Sequence, residues 1–141
     1  MKTFGKITVM AAVFTLMSAM PLMAQIVNGL SFTTTSSFYA GNTKFPAGSY
    51  TITQSNVDNN ILQVESTNDK YSGYFEALPT QSEQPHPKTE VTFHKYGGVD
   101  YLNRVWIQGQ QYGLQAEQTK AEKKAAAAGA PVDHSVAGTK K

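Results

Sequence analysis

Histidines are the side chains of this sequence with the widest chemical repertoire, because they serve as metal ligands and as acid–base groups near neutral pH. The chain has three, which are His86, His94 and His134. A structural metal normally takes four ligands, often from cysteine as well as histidine, and this chain has no cysteine. His86 lies between two prolines of a loop and His134 lies in the tail, far from the third histidine. We therefore predict no metal site.

Paired carboxylates are another common source of acid–base catalysis. Glu65, Glu76 and Glu90 fall on predicted strands, at positions expected to face outward as solvated charges. The sequence contains neither a Gly-x-Ser-x-Gly nucleophile elbow nor a phosphate-binding glycine loop. We therefore predict a non-enzymatic protein with no catalytic residue and no cofactor.

Binding is the remaining activity that individual side chains suggest. Tyr74 and Tyr112 fall on polar or loop positions, where an exposed ring can stack on a sugar or contact a protein. Tyrosine also packs commonly at sheet margins, which is the ordinary expectation for both. His94 falls on the polar face of a strand, where we expect a hydrogen bond to a neighbour. These three residues are the possible binding residues.

The first 24 residues have the layout of a secretory signal peptide. Two lysines precede an apolar run over Ile7–Met20, Pro21 ends this run, and the small residue Ala24 comes just before Gln25. The run is shorter than the roughly 20 apolar residues that a membrane-spanning helix needs. We predict cleavage after Ala24, a periplasmic or secreted location, and no stable membrane span after cleavage.

Charge and composition narrow the choice of partner. The whole chain has a formal net charge of +2, but residues 25–116 carry five basic and seven acidic side chains. This acidic body gives no electrostatic reason to expect nucleic acid as a partner. Since cysteine is absent, the exported domain has to be held by its core alone. A body of about 90 residues is large enough for such a core.

Short segments of alternating apolar and polar residues, separated by turn residues, predict an all-β domain. In Ser49–Gln54, Tyr50 and Ile52 share one face and the threonines share the other. Turns recur without intervening helices, so we predict a small antiparallel β-sandwich or barrel. The segment 78–88 contains three prolines and is predicted to be non-sheet. The predicted strands are 30–39, 49–54, 61–66, 71–77, 89–95 and 99–107.

The composition changes after Gly113. Thr119 and Glu122 have the spacing of a helix capping box, and a run rich in Ala, Lys and Glu follows. We predict a short solvated C-terminal helix, followed by a disordered tail rich in Gly, Pro, Ser and Lys. The predicted organisation is a signal peptide (1–24), a β domain (25–116), a terminal helix (117–128) and a disordered tail (129–141).

Four segments resemble small exported bacterial β proteins of unassigned function. Those proteins carry a Leu-Pro-Ala-Gly-x-Tyr-Thr-Val segment, a Phe-His-Arg-Tyr-Gly stretch that runs into a Phe-Leu-x-x-Val-Trp strand, and a Ser-x-Ala-Glu-Arg helix start. The resemblance implies export, one β domain and a helical tail, and it supplies no catalytic residue. This sequence departs from the pattern with Phe45 for Leu, Lys95 for Arg and Tyr101 for Phe. The corresponding segments are Phe45–Ile52, Phe93–Gly97, Tyr101–Trp106 and Thr119–Lys123.

These observations favour an exported domain that binds or assembles in the cell envelope or outside the cell, with a protein or a polysaccharide as partner. Two alternatives stay open. A small apolar ligand could be carried inside a barrel, in a cavity lined by Tyr50, Ile52, Phe75 and Phe93. Hydrolysis would gain support if His94 met the glutamates in a cleft. The oligomeric state is left open.

Overall fold

The computed structural model describes residues 29–140. The predicted signal peptide and Lys141 lie outside these residues. The described elements are β1 (Leu30–Thr34), β2 (Phe38–Ala40), β3 (Thr43–Phe45), β4 (Gly48–Gln54), β5 (Ile61–Ser66), β6 (Ser72–Gln81), β7 (Glu90–Tyr96), β8 (Val99–Trp106), β9 (Tyr112–Ala116), α1 (Lys120–Ala128) and β10 (Val132–Lys140).

Eight of these strands close into an antiparallel barrel. Hydrogen bonds join them in the order β8-β7-β10-β1-β4-β5-β6-β9, and β9 pairs back with β8 at Arg104–Gln115 and Val105–Leu114. Closure leaves no strand of the ring as a sheet edge. The predicted all-β antiparallel fold with a short helix near the C-terminus is confirmed, and the closed ring decides between sandwich and barrel in favour of the barrel.

A hairpin of β2 and β3 is not part of the ring of eight strands, but its side chains pack into the ring's interior. β2 runs parallel to β8, with Tyr39 opposite Tyr101. Phe38 and Phe45 of the hairpin are fully buried, and the Phe38 ring lies 5.2 Å from that of Tyr50 and 5.4 Å from that of Phe93. The predicted strand over 30–39 is therefore two strands, because the chain turns between them from the ring into the hairpin.

Alternation of apolar residues places the rest of the core. Tyr50 and Ile52 of β4 and Leu62 and Val64 of β5 are all buried, as the sequence pattern predicts. The Tyr50 hydroxyl donates a hydrogen bond to the carbonyl of Pro46, which ties the turn before β4 to its first inward side chain. Burying this phenol in the barrel therefore leaves no unpaired hydroxyl.

The prediction of a disordered tail over 129–141 is wrong. Residues 132–140 form β10, which lies in the sheet between β7 and β1 and pairs with both. Backbone hydrogen bonds on both sides stabilise this strand, although most of its side chains are exposed. His134, Val136 and Gly138 are its half-buried inward residues, and Val136 packs against the core. The segment lacks the dense apolar pattern by which other strands are recognised.

The prediction that 78–88 is entirely non-sheet is also wrong, because β6 continues to Gln81 and includes Pro79. β6 pairs with β5 over its first half and with β9 over its second half, where Pro79 lies opposite Leu114. Residues of this second half therefore have a partner strand on one side only. Proline is tolerated there because a missing amide donor toward the open side costs no hydrogen bond.

The helix begins where the capping box predicts. The Thr119 side-chain oxygen accepts a hydrogen bond from the Glu122 amide at 3.2 Å, and the helix ends before Gly129. Most of its side chains are exposed, as expected of a solvated helix, but Glu122 is buried. Within residues 29–140, no helix has both the length and the hydropathy to cross a membrane.

Candidate functional site

The structure places the three possible binding residues at separate positions. Tyr74 lies on the outer face of β6, and 63% of its surface is exposed. Tyr112 begins β9 and packs half-buried against the core, as expected of a tyrosine at a sheet margin. His94 lies on β7 and hydrogen-bonds the carboxylate of Asp133, its partner across the strands. Of the three, Tyr74 alone presents a largely open ring.

A surface groove of about 590 Å³ surrounds Tyr74. One wall is β6, where Tyr74 and Glu76 are two residues apart and so project from the same face. The opposite wall is the segment that leads from β9 into α1, and its ends are formed by the β2–β3 turn and the start of β5. The lining residues are Gly41, Asn42, Ile61, Tyr74, Phe75, Glu76, Glu117, Gln118, Thr119 and Lys120.

Glu76 and Glu117 form a carboxyl pair in this groove. The Glu117 amide donates to the Glu76 carbonyl at 2.9 Å, which holds the segment after β9 beside β6. The hydrogen bond between the two carboxyl groups raises the pKa of Glu76, and the charge of Glu117, desolvation and the charge of Asp58 act in the same direction. Two adjacent carboxyl groups offer several hydrogen-bond acceptors to a ligand. Sequence alternation places Glu76 outward, but nothing local brings Glu117 next to it.

A buried carboxyl lies under α1. Glu122 is 5% exposed and accepts a hydrogen bond from the side-chain nitrogen Nε2 of Gln118 at 3.3 Å. It is also bonded to Tyr96. Burial raises the pKa of Glu122, while the hydrogen bonds from Gln118 and Tyr96 and the charge of His94 lower it; burial prevails. The sequence shows Glu122 as a capping residue and gives no sign that the side chain is buried.

All three histidines bond to carboxylates. His86 Nε2 lies 2.7 Å from Glu90 Oε1, and the His86 ring stacks on Trp106 with ring centroids 4.7 Å apart. Burial raises the pKa of Glu90, but the hydrogen bond and charge of His86 with the charge of Lys88 outweigh it, so that this pKa lies below its ordinary value. The expectation that Glu90 is a solvated outward charge is wrong, since it lies buried against His86.

His134 is the second histidine whose environment differs from the prediction. It lies on β10 rather than in a disordered tail, and its ring stacks on Phe93 with the centroids 5.3 Å apart. Its Nε2 is 2.9 Å from Asp100 Oδ1, while Asp100 Oδ2 accepts a hydrogen bond from the Ser36 hydroxyl at 2.8 Å. Serine and histidine here bind the carboxylate separately, so the histidine does not activate the serine as it would in a catalytic triad.

The residues that could support hydrolysis belong to separate contacts. Glu76 meets Glu117, Glu90 meets His86, and His94 meets Asp133. Among residues 29–140, no group of three His, Asp or Glu side chains is arranged to hold a metal ion. The groove around Tyr74 is therefore the candidate site, and its chemistry is that of an aromatic ring flanked by carboxyl and amide groups. Comparison with protein-family models, curated proteins and solved structures finds no match to this chain.

Proposed function

We propose that this chain is an exported, non-enzymatic barrel that binds a polysaccharide of the cell envelope, or one outside the cell, in the groove around Tyr74. The observation that carries this proposal is the open Tyr74 ring beside the Glu76–Glu117 pair. An aromatic ring packs against the apolar face of a sugar, while carboxyl and amide groups hydrogen-bond its hydroxyls.

The shape of the site favours a polysaccharide over a protein. Ligand clefts commonly have volumes of about 300–1,000 Å³, and the groove has about 590 Å³. A stable protein interface buries roughly 800 Å² on each partner and centres on a well-packed apolar cluster. The groove instead mixes one exposed ring with polar side chains. An envelope protein stays the second candidate partner.

Export is part of the proposal and rests on the first 24 residues of the sequence. The proposed cleavage after Ala24 falls before the described residues, which begin at Gly29, and before β1, which begins at Leu30. Cleavage at this position would remove none of the described residues. A periplasmic or secreted location would bring the groove to envelope or extracellular polysaccharides.

The two alternatives have less support. The four side chains expected to line an apolar cavity, Tyr50, Ile52, Phe75 and Phe93, all pack in the core cluster. Tyr50 and Phe93 are further covered by Phe38 of the hairpin, which occupies space that a carried ligand would need. The residues considered for hydrolysis do not converge on one cleft, since Glu76, Glu90 and His94 belong to separate contacts.

A glycan array with purified mature protein tests the proposal. We expect saturable binding to a subset of envelope or extracellular glycans, and a loss of about 2 kcal/mol, roughly 30-fold in Kd, for Tyr74→Ala. Tyr71→Ala is the matched control, because Tyr71 is also exposed but does not line the groove. Glu76→Gln tests the carboxyl pair.

A pull-down from envelope fractions runs beside the array. If wild type and Tyr74→Ala both capture the same protein partner, binding takes place at a surface other than the groove around Tyr74. No binding in either experiment would contradict the proposal.

A further inference from the structure

A second pocket lies on the outer face of the barrel, away from the groove. It is formed where Ser135 of β10, Thr92 of β7 and Arg104 of β8 stand side by side across the three strands. The pocket has a volume of about 270 Å³, and Trp106 forms part of its wall. This volume is below that of clefts for drug-sized ligands, so it fits a molecule of a few heavy atoms.

Arg104 is the single arginine of the sequence, and its charge lacks a protein partner in residues 29–140. Its Nε atom is enclosed and has no hydrogen-bond acceptor. A buried donor left without an acceptor costs about 1–3 kcal/mol, and more when the group is charged. Such an orphaned group in a native fold calls for a missing acceptor.

The neighbouring carboxylates do not supply this acceptor. Glu90 is engaged by His86 at 2.7 Å and Lys88 at 3.5 Å, and Asp133 is bonded to His94. Both line the pocket, so they would repel a ligand with two negative charges more strongly than a ligand with one. The other polar side chains of the pocket are bonded within the protein as well. Thr92 bonds to Asn103 and to the backbone of Arg104. Ser135 bonds to Glu90, and His134 bonds to Asp100.

We propose that this pocket binds a small organic monocarboxylate, held by the Arg104 guanidinium. The edge of a guanidinium formed by Nε and one terminal nitrogen matches the two oxygens of a carboxylate. Because Nε is enclosed, binding through this edge requires the terminal torsions of Arg104 to turn it toward the pocket.

Trp106 makes this site directly measurable. It is the only tryptophan of the chain, it lines the pocket, and it stacks on His86, so its fluorescence reports on this location alone. The mature protein is titrated with sodium acetate, sodium lactate and inorganic phosphate at constant ionic strength. We expect saturable fluorescence changes with acetate and lactate, and amide NMR shifts at residues 92, 104 and 135.

Matched variants identify the cation. Arg104→Gln is expected to weaken lactate binding by at least 10-fold. Arg104→Lys is expected to weaken it several-fold, because lysine keeps the positive charge but cannot donate two parallel hydrogen bonds to a carboxylate. Lys70→Gln removes the same charge from an exposed turn on another side of the barrel and should bind as wild type. Arg104→Lys provides the decision should Arg104→Gln fail to fold.

Three results would overturn the assignment. One is a fluorescence response that does not saturate or that is equal in wild type and Arg104→Gln. Another is an equal loss in Lys70→Gln, which would indicate general ionic effects. Tighter binding of phosphate than of lactate would reject the monocarboxylate. Tyr74→Ala should leave this titration unchanged, so the two sites are tested separately.

Discussion

Asp100 is the most deeply buried carboxylate among the described residues, with 1% of its surface exposed. Its two oxygens bond to Ser36, which lies between β1 and β2, and to His134 of β10. Asp100 of β8 thus holds both the segment between β1 and β2 and strand β10 against β8. Its role is structural, because neither partner contacts the candidate groove.

Removal of this carboxylate should be among the costliest single changes in the molecule. Asp100→Ala leaves two half-buried polar groups, Ser36 and His134, without this partner, and we expect a loss of about 3 kcal/mol in the free energy of unfolding, since hydrogen bonds to a charged group are stronger than neutral ones. Ser36→Ala removes only one of the two hydrogen bonds and should cost about 1 kcal/mol. Urea denaturation of the three proteins measures both values. A loss below about 0.5 kcal/mol for Asp100→Ala would contradict this role.

Contacts of single residues could be predicted from the sequence only where they are local. The His86–Glu90 pair spans four residues and is within reach of sequence reasoning, although the burial of Glu90 is not. The pairs of His134 with Asp100 and of His94 with Asp133 join residues 34 and 39 positions apart. Strand order and register decide such pairs, so the sequence pattern leaves them open.

At the scale of elements, the side chain by which α1 packs on the barrel is a carboxyl, that of Glu122. Glu122 is the buried residue of this helix, and it lies against Tyr96, with His94, Tyr101 and Asp133 as the neighbouring titratable groups of the three strands beneath. The residues just before and at the start of α1 line the groove around Tyr74.

The pH dependence of stability should reveal this carboxyl. Because burial raises the pKa of folded Glu122, its favourable contribution is complete below the unfolded value of about 4.3 and is lost as the pH rises through the folded value. Glu122→Gln cannot lose a proton, so its stability relative to wild type should increase from pH 4 to pH 8.

Urea denaturation across this pH range provides the measurement. Glu65→Gln, an exposed carboxylate on β5, is the control for removal of one negative charge. Identical pH trends for Glu122→Gln and Glu65→Gln would show that the buried position has no effect on the titration.

Elements differ in how far the sequence determines them. The capped helix and strands such as β5 carry their signals locally, in Thr119 and in the alternation of Leu62 and Val64. β10 carries little local signal, since Val132 is exposed and its strand conformation depends on pairing with β1 and β7. The prediction that Pro79 ends the sheet is wrong for a similar reason. Only the order of the neighbouring strands shows that β6 has no partner strand on one side at this residue.

For the whole molecule, the sequence indicates an antiparallel β domain but does not choose between an open and a closed one. Closure depends on two residue pairs between β8 and β9, Arg104–Gln115 and Val105–Leu114. It also depends on β6, which changes partner from β5 to β9 along its length. Such long-range registers follow from the complete packing of the barrel rather than from local propensity.

The proposed export of the molecule can be measured directly. Native mass spectrometry of protein purified from its own cells should give a mass that begins at Gln25, because the leader lies before the folded barrel. The same spectrum reports the copy number and any retained carboxylate. A cytosolic molecule with an intact Met1 would contradict export and, with it, the proposed partner.

The position of β10 has a consequence for the order of events during synthesis. This strand is the last described element along the chain, yet in the ring it lies between β7 and β1, which comes first. A nascent chain therefore lacks the strand between β7 and β1 until residue 140 has emerged from the ribosome, and we expect the ring to close only after that point. If the chain is exported, as we propose, the unclosed ring would leave it available for threading through a translocation pore during that time.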